Sequence, residues 1–360
     1  MKKIIILIVG IILVIPINTK AIKTSATSSI LMDVNSNRVL YSNNIHNRRS
    51  VASISKIMTA ILAIESGKLD KKVIIDDSID KAYGSGIYIK KGEELTLRDL
   101  VYGLMLRSGN DAALAIANYV SKDTEEFVKL MNKKAIELKM INTEFNNPSG
   151  LDEEKGNYST AYDMALLMSY ASKNKEFQKI TKIKKYTLKT NKNTYIWYNK
   201  NKLLNLYKYT TGGKTGYTKI AKRTLVTTAS KNNMDLVVVT LNDGNDWNDH
   251  KNLFEYGFNK YKSYKILDKN NFKVKNDTYY KENKLYIKKD YCYVIEPGEE
   301  QNILIKIELK KKRSIKNNMN VGKAIIYLGD KKIHEENIYV KLKEERKEKN
   351  WFKKIIGNLW

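Results

Sequence analysis

The chain has 360 residues, with 65 Lys and Arg against 39 Asp and Glu, a formal net charge of +26 and a single cysteine. One cysteine excludes an intramolecular disulfide and a cysteine-rich zinc site, while the length allows two domains and a sizeable core. The charge alone would fit nucleic acid, an anionic membrane face or an acidic wall, but the basic residues are scattered among Asn, Ile and Tyr in the manner of an AT-rich codon bias, which argues against a nucleic-acid groove.

Lys2 and Lys3 precede an apolar run over 4–17, and Pro16, Asn18, Thr19, Lys20 and Ala21 close it. The run is short for a bilayer span. A basic tip, an apolar middle and a small polar tail predict a secretory signal over 1–21, cleaved after Ala21, with an uncleaved anchor as the alternative. Either way the rest of the chain is exported to the outer face of the cytoplasmic membrane or the cell wall.

Apolar runs over 28–34 and 38–42 around Asn35-Ser36-Asn37 predict a β-hairpin. Ile54, Ile57, Met58, Ile61, Leu62 and Ile64 then keep helical spacing until Gly67, so Ser53 falls in the first turn of a helix and Lys56 one turn later on the same side. The stretch 71–91 is mixed, with Gly84-Ser85-Gly86 a turn. Thr96-x-x-Asp99 reads as a capping box for a helix with Leu97, Leu100, Val101, Leu104 and Met105 on one face. Ser108-Gly109-Asn110 interrupts it before a further helix over 111–120. An amphipathic helix over 125–139, a turn cluster over 146–151 and a helix begun within 158–165, capped by Ser159 or Thr160, follow. Past Lys175 the chain reads as basic and strand-like. Three antiparallel strands over 213–218, 224–230 and 235–242 come next, then a helix over 246–261 with Trp247, Leu253, Phe254 and Phe258 as its stripe.

Short alternating runs at 285–287, 291–295, 303–309, 323–328 and 334–343, with Gly329-Asp330 as a hairpin turn, predict a small all-β domain over 263–343 and leave 22–262 as the main domain. Cys292 lies in one of these runs and reads as a half-buried structural thiol. Over 344–360, Trp351, Phe352, Ile355, Ile356, Leu359 and Trp360 face one way and Lys353, Lys354, Gly357 and Asn358 the other, predicting an amphipathic helix on a membrane surface. A helix packed onto the β domain is the alternative.

Ser53-x-x-Lys56 is answered by Ser108-Gly109-Asn110 and Lys214-Thr215-Gly216. A serine hydroxyl is a poor nucleophile without a base in hydrogen-bond reach. His46, His250 and His334 are far apart and none lies near Ser53 in sequence, so a neutral Lys56 amine is the candidate base. Burial disfavours its ammonium form, and Lys214 brought close would do so further. Ser108 would relay a proton to the leaving amine, Asn110 would hold Lys56 and the substrate amide, and Lys214 and Thr215 would meet a substrate carboxylate. Gly216 lets backbone approach backbone, and the Ser53 N–H at the helix start supplies an oxyanion donor. No metal or organic cofactor is called for. Each triplet alone is weak; all three in this order, separated by about fifty and then about a hundred residues, are specific.

Together these motifs resemble those of serine-type D-alanyl-D-alanine carboxypeptidases, the low-molecular-mass penicillin-binding proteins of peptidase family S11. The likeness extends through 100–113, 147–151, 158–165 and 214–218 and covers roughly 27–261. It implies an α/β (α+β) β-lactamase/transpeptidase-like domain, an antiparallel sheet flanked by helices, with the small β domain and amphipathic tail behind it. It also implies release of the terminal D-Ala from peptidoglycan stem pentapeptides through an acyl-enzyme on Ser53, and acylation and inhibition by β-lactam antibiotics. The Tyr217 N–H is the second oxyanion donor by the same resemblance, and Lys200 is the choice for a further carboxylate-binding cation. Two departures stand out: Ser149 occupies a position where relatives often carry His, and Ala221-Lys222 one where a small Ala-Gly pair is usual. Two rivals remain. A class A β-lactamase needs a deacylating glutamate, but 142–190 contains no Glu-x-x-Leu-Asn and the middle triplet is Ser-Gly-Asn instead of Ser-Asp-Asn. A non-catalytic wall or membrane scaffold could keep the same fold.

Overall fold

A computed structural model describes residues 22–152, 155–275 and 277–343; the expected signal over 1–21 and the expected amphipathic helix over 344–360 lie outside the described residues. Strands β1 (Ser28–Asp33) and β2 (Val39–Asn43) form the hairpin at the start, with Asn37 at φ 57 in the turn between them. Among the described residues, six helices of eight residues or more and one short helical turn, Leu203–Leu206, follow before the chain returns to the same sheet: the six are α1 (Lys56–Glu65), α2 (Leu97–Arg107), α3 (Asn110–Val120), α4 (Thr124–Glu137), α5 (Ala161–Ala171) and α6 (Lys175–Lys182). Strands β3 (Thr210–Thr218), β4 (Lys222–Lys231) and β5 (Met234–Leu241) then complete an antiparallel sheet of order β2-β1-β5-β4-β3.

The run Leu236-Val237-Val238-Val239 in β5 is continuously apolar because both faces of the sheet are covered. Alternate side chains point to opposite faces. Val237 and Val239 join the core beneath α1–α6, whereas Leu236 and Val238 pack with Leu253, Phe254 and Phe258 of α7 (Asp246–Lys260). Helix α1 runs through the first of these cores, with Ile57, Met58, Ala60, Ile61 and Ala63 all fully buried. Truncating Ile57 or Ile61 to Ala would cost ~2–5 kcal/mol and disturb the segment that presents Ser53.

Past Lys175 the expected basic strands do form, as the hairpin Lys185–Lys189 and Thr194–Tyr198, but only after the unexpected helix α6. Asn174 Oδ1 caps it by accepting from the N–H groups of Glu176 and Phe177 at 2.9 and 3.2 Å, and Phe177, Ile180 and Thr181 are buried. The interleaved lysines mask this short i, i+3, i+4 pattern.

Behind α7 the chain forms β6 (Lys262–Leu267), β7 (Lys284–Tyr286), β8 (Tyr291–Ile295), β9 (Ile303–Leu309), β10 (Met319–Leu328) and β11 (Lys331–Lys341). Strands β7, β11, β10 and β9 make a second antiparallel sheet in that order, with Gly329 at φ 57 in the β10–β11 turn. The 291–295 run, expected as a strand of the small β domain, pairs with β6 as a two-stranded ribbon, and its Val294 packs into the core beside α7. In that register Cys292 points outward and is exposed, which corrects the half-buried expectation. Where the ribbon meets the first domain, Arg38 donates to the Val294 carbonyl at 2.8 Å and to Glu299 at 2.7 Å, beneath the rings of Tyr261 and Tyr293. No helix among the described residues is long and apolar enough to cross a membrane.

Candidate active site

Ser53 sits in a 3-10 turn, Ala52–Ser55, that feeds directly into α1, so the hydroxyl lies one turn ahead of Lys56. The chain enters this turn through Ala52 at φ 50, a conformation strained for a residue with a Cβ. Gly150 packs directly against it: an added Cβ there would stand 2.1 Å from the Ala52 carbonyl oxygen. On the other side, a Cβ on Gly216 would lie 2.4 Å from Thr224 Oγ1 and 3.0 Å from the Ser53 nitrogen. Only glycine lets β3 approach the start of the helix this closely.

Lys56 Nζ meets three oxygens: Ser53 Oγ at 3.1 Å, Asn110 Oδ1 at 2.7 Å and, in a short contact, the Ser149 carbonyl. Two of these can only accept. A neutral amine has two hydrogens and one lone pair, so if the hydrogens go to Asn110 and Ser149 the lone pair is left facing the Ser53 hydroxyl, the arrangement a base requires. Asn110 is fixed in the sense this needs, because its Nδ2 donates to the Tyr83 carbonyl at 2.5 Å while its own N–H donates to the Ser85 carbonyl at 2.7 Å. The Ser149 carbonyl is held by the turn around it. Asn147 Oδ1 accepts from the Ser149 and Gly150 N–H groups at 3.1 and 2.6 Å, and the preceding Pro148 carbonyl accepts from Thr59 at 2.7 Å.

The break between α2 and α3 supplies the second motif. Thr96 and Asp99 cap α2 reciprocally, and the helix ends at Ser108 in the left-handed region, φ 65, before Gly109 caps α3. That turn aims Ser108 Oγ at Lys214 Nζ, 3.1 Å away, and Lys214 also donates to the Thr215 carbonyl at 2.7 Å. At the start of α3, Asp111 accepts from the Ile87, Tyr88 and Ala112 N–H groups, which fixes the loop over the cleft.

Neither buried lysine has a carboxylate in salt-bridge contact among the described residues. Burial holds Lys56 well below the usual lysine range, and the nearby charges of Lys214 and then Lys200 push it the same way, against a smaller pull from Asp111. Burial, with Lys200 second, brings Lys214 down to about 7. Lys200 is itself lowered by burial and by Arg107.

A cavity of about 380 Å³ opens over Ser53 and Ser108, walled by Ser85 and Lys200 on one side and by Thr215, Gly216 and Tyr217 on the other. The structure thus brings Ser53, Lys56, Ser108, Asn110, Lys214, Thr215, Gly216, Tyr217 and Lys200 to one place, with Lys200 Nζ 3.4 Å from Ser85 Oγ. His250 lies elsewhere, buried between Thr227 and Thr240 and kept neutral by burial, with a pKa of about 3. Sequence reasoning missed two contributions. One is the Ser149 carbonyl, since main-chain acceptors carry no sequence signature. The other is Arg223, which lines the cavity beside Tyr217, its partner across the β3–β4 pair. Its guanidinium is clamped by both oxygens of Asp246, at 2.5 and 3.1 Å, and lies over Trp247.

A serine beside a buried lysine, with a second buried lysine on a strand edge, is the arrangement of an acyl-transferring serine hydrolase of the penicillin-binding kind. Residues 16–245 match the peptidase S11 profile, D-alanyl-D-alanine carboxypeptidase, and 261–346 match the C-terminal domain of penicillin-binding protein 5. The chain belongs to the S11 D-alanyl-D-alanine carboxypeptidase family. It is similar to D-alanyl-D-alanine carboxypeptidase DacF of Bacillus subtilis, 36% identical over 263 residues that cover 70% of this chain and 67% of that one. Among solved structures, penicillin-binding protein 5 of Haemophilus influenzae aligns with a TM-score of 0.74 and 28% identity over 89% of this chain and 98% of its own. A D-alanyl-D-alanine carboxypeptidase of Mycobacterium tuberculosis aligns at 0.63 and 30% identity over 66% of this chain and 92% of its own.

Proposed function

We propose that this chain removes the terminal D-Ala from peptidoglycan stem pentapeptides, with Ser53 as the nucleophile and Lys56 as its base. The observation that carries this reading is the Lys56 amine: buried, without a carboxylate, and offered two fixed acceptors plus the Ser53 hydroxyl. Ser53 Oγ attacks the carbonyl carbon of the penultimate D-Ala while its proton passes to Lys56 Nζ. The N–H groups of Ser53 and Tyr217 take the developing oxyanion. Ser108 delivers a proton to the departing amine as the C–N bond breaks and is resupplied by Lys214, 3.1 Å away; water then attacks the Ser53 ester, its proton passing through Ser108 to Lys214 while Lys56 returns the proton to Ser53 Oγ. The substrate carboxylate is met by Thr215 and Lys214 at the strand edge, with Lys200 and Arg223 as the further cations of the cavity.

A β-lactam follows the same first step, but its amine stays tethered and blocks the water, so the ester persists. Intact positioning of every polar group in the cleft supports an enzyme over a scaffold. Mass spectrometry of penicillin-treated protein tests the assignment: a long-lived adduct on Ser53 is expected, and an adduct elsewhere, or D-Ala release undiminished in Ser53→Ala, would overturn it. We also propose that 344–360 holds the protein on the outer membrane face. Removal of 350–360 should release it from the pelleted membrane fraction, and unchanged pelleting would refute the attachment.

A further inference from the structure

The two ends of the C-terminal sheet differ in how their charges are paired. At the end that meets the first domain, Glu299, Glu296 and Glu300 pair with Arg38, Lys260 and Lys262. Along the sheet, Lys306, Lys323 and Lys332 still find Glu308 or Glu335. At the opposite end, the length of the ten-residue strand β10 away, or about 30 Å, the pairing stops. Lys281, Lys284, Lys341 and Lys343 are exposed there and none has a carboxylate partner among the described residues.

Lys284, Lys341 and Lys343 line a concavity of about 480 Å³ whose remaining walls are Glu282, Asn283 and Leu342, and Lys281 lines the hollow next to it, which shares Asn283 and Lys284. The face is a built one. Asn283 Oδ1 accepts from the Lys343 N–H at 3.3 Å and Asn317 Oδ1 from the Leu342 N–H at 3.2 Å, which ties the main chain at Leu342 and Lys343 to the sheet. The loop between β9 and β10 adds Lys310, Lys311, Arg313 and Lys316, all exposed, and is pinned by Tyr280 and Tyr279, whose hydroxyls donate to the Lys310 and Lys312 carbonyls at 2.6 and 2.7 Å.

We propose that this end of the β domain docks on an anionic bilayer surface, its lysines taking the phosphates of lipid headgroups. Unpaired cations gathered on one rigid face match a surface of fixed negative charge. The choice of a bilayer over a soluble phosphate polymer rests on what leaves the same face: the chain continues from Lys343 into a segment containing Trp351, Phe352, Ile355 and Ile356, an apolar complement that a polymer would not use. The proposal therefore builds on the membrane attachment of 344–360, but assigns a separate, electrostatic contribution to the folded domain.

The test is sedimentation of the full chain with phosphatidylcholine vesicles, with and without phosphatidylglycerol, for wild type, Lys281→Gln/Lys284→Gln/Lys341→Gln and a chain ending at Lys343. Each neutralised lysine should weaken binding to the anionic vesicles about fivefold, and the triple variant on the order of a hundredfold, with no change on phosphatidylcholine alone. The chain ending at Lys343 should keep a residual, salt-sensitive affinity for anionic vesicles only. If the triple variant binds as wild type does while the truncated chain binds nothing, the tail alone attaches the protein and the docking face is refuted. Equal losses on both vesicle types would refute it too, as would weaker binding of the triple variant to a soluble glycerol-phosphate polymer with vesicle affinity unchanged. Penicillin labelling, which should stay at wild-type level in every variant, separates failure of this proposal from failure of the catalytic one.

Discussion

Lysines do opposite work at the two ends of this molecule. In the cleft, Lys56 and Lys214 are buried without carboxylates and lose affinity for their protons, Lys214 down to about 7. On the C-terminal sheet, Lys332 and Lys323 stand in solvent beside Glu335; Lys332 keeps its proton more firmly than usual, and the pair holds the Glu335 carboxyl down to about 2. The side chain is the same and the environment decides whether it is a base or a fixed charge. A chain so rich in lysine can therefore carry catalytic lysines that composition alone would never single out.

The sharpest way to break that comparison is Lys56→Arg. Arginine keeps the charge but does not give up its proton, so acylation by penicillin and D-Ala release should both fall by ~10³-fold or more. The same exchange at Lys323 should leave activity and the melting midpoint where they were. Next in size is Gly216→Ala, which places a methyl 2.4 Å from Thr224 Oγ1 and 3.0 Å from the Ser53 nitrogen. Moving β3 back from the helix start spoils oxyanion geometry, and kcat/KM should drop roughly 100-fold with a folded spectrum retained. Arg223→Gln should act on binding instead, raising KM about tenfold with kcat nearly kept. A loss confined to kcat would remove Arg223 from the carboxylate site.

Much of this was legible in advance, because helix periodicity, the Thr96–Asp99 capping box and the Asn37 turn are local signals, and the three motifs name their own chemistry. What stayed hidden depends on pairing or on main chain. Alternation over 291–295 shows a strand but not its partner, and the partner, β6, decided that Cys292 faces out. The Ser149 carbonyl could not be read because any residue offers one; only the Asn147 turn makes it a ligand of Lys56. Lys222 sits at φ 59, which gives a physical reason for the glycine usual at that place and shows that this chain tolerates a side chain there. Arg223 was overlooked for a similar reason: the clamp by Asp246 joins β4 to the start of α7 and has no trace in local sequence.

The smallest expected effect is the most direct reading of the electrostatics. Lys200 ranks after burial as a cause of the lowered Lys214 and after burial and Lys214 as a cause of the lowered Lys56, so Lys200→Gln should let both rise part of the way towards their ordinary values. In the proposed mechanism acylation needs Lys56 as the free base, so its rate falls with falling pH through that group's pKa. Raising the pKa therefore moves the acid limb of the penicillin-acylation profile towards alkaline pH. The rate should drop a few-fold, roughly 2–5, on the acid side, and the alkaline plateau should stay in place. Lys200→Arg keeps the charge and should leave the limb where it is. A limb that stays put in the Gln variant, or moves the other way, would mean that the Lys200 charge does not reach the base, and burial alone would then have to account for the free amine beside Ser53.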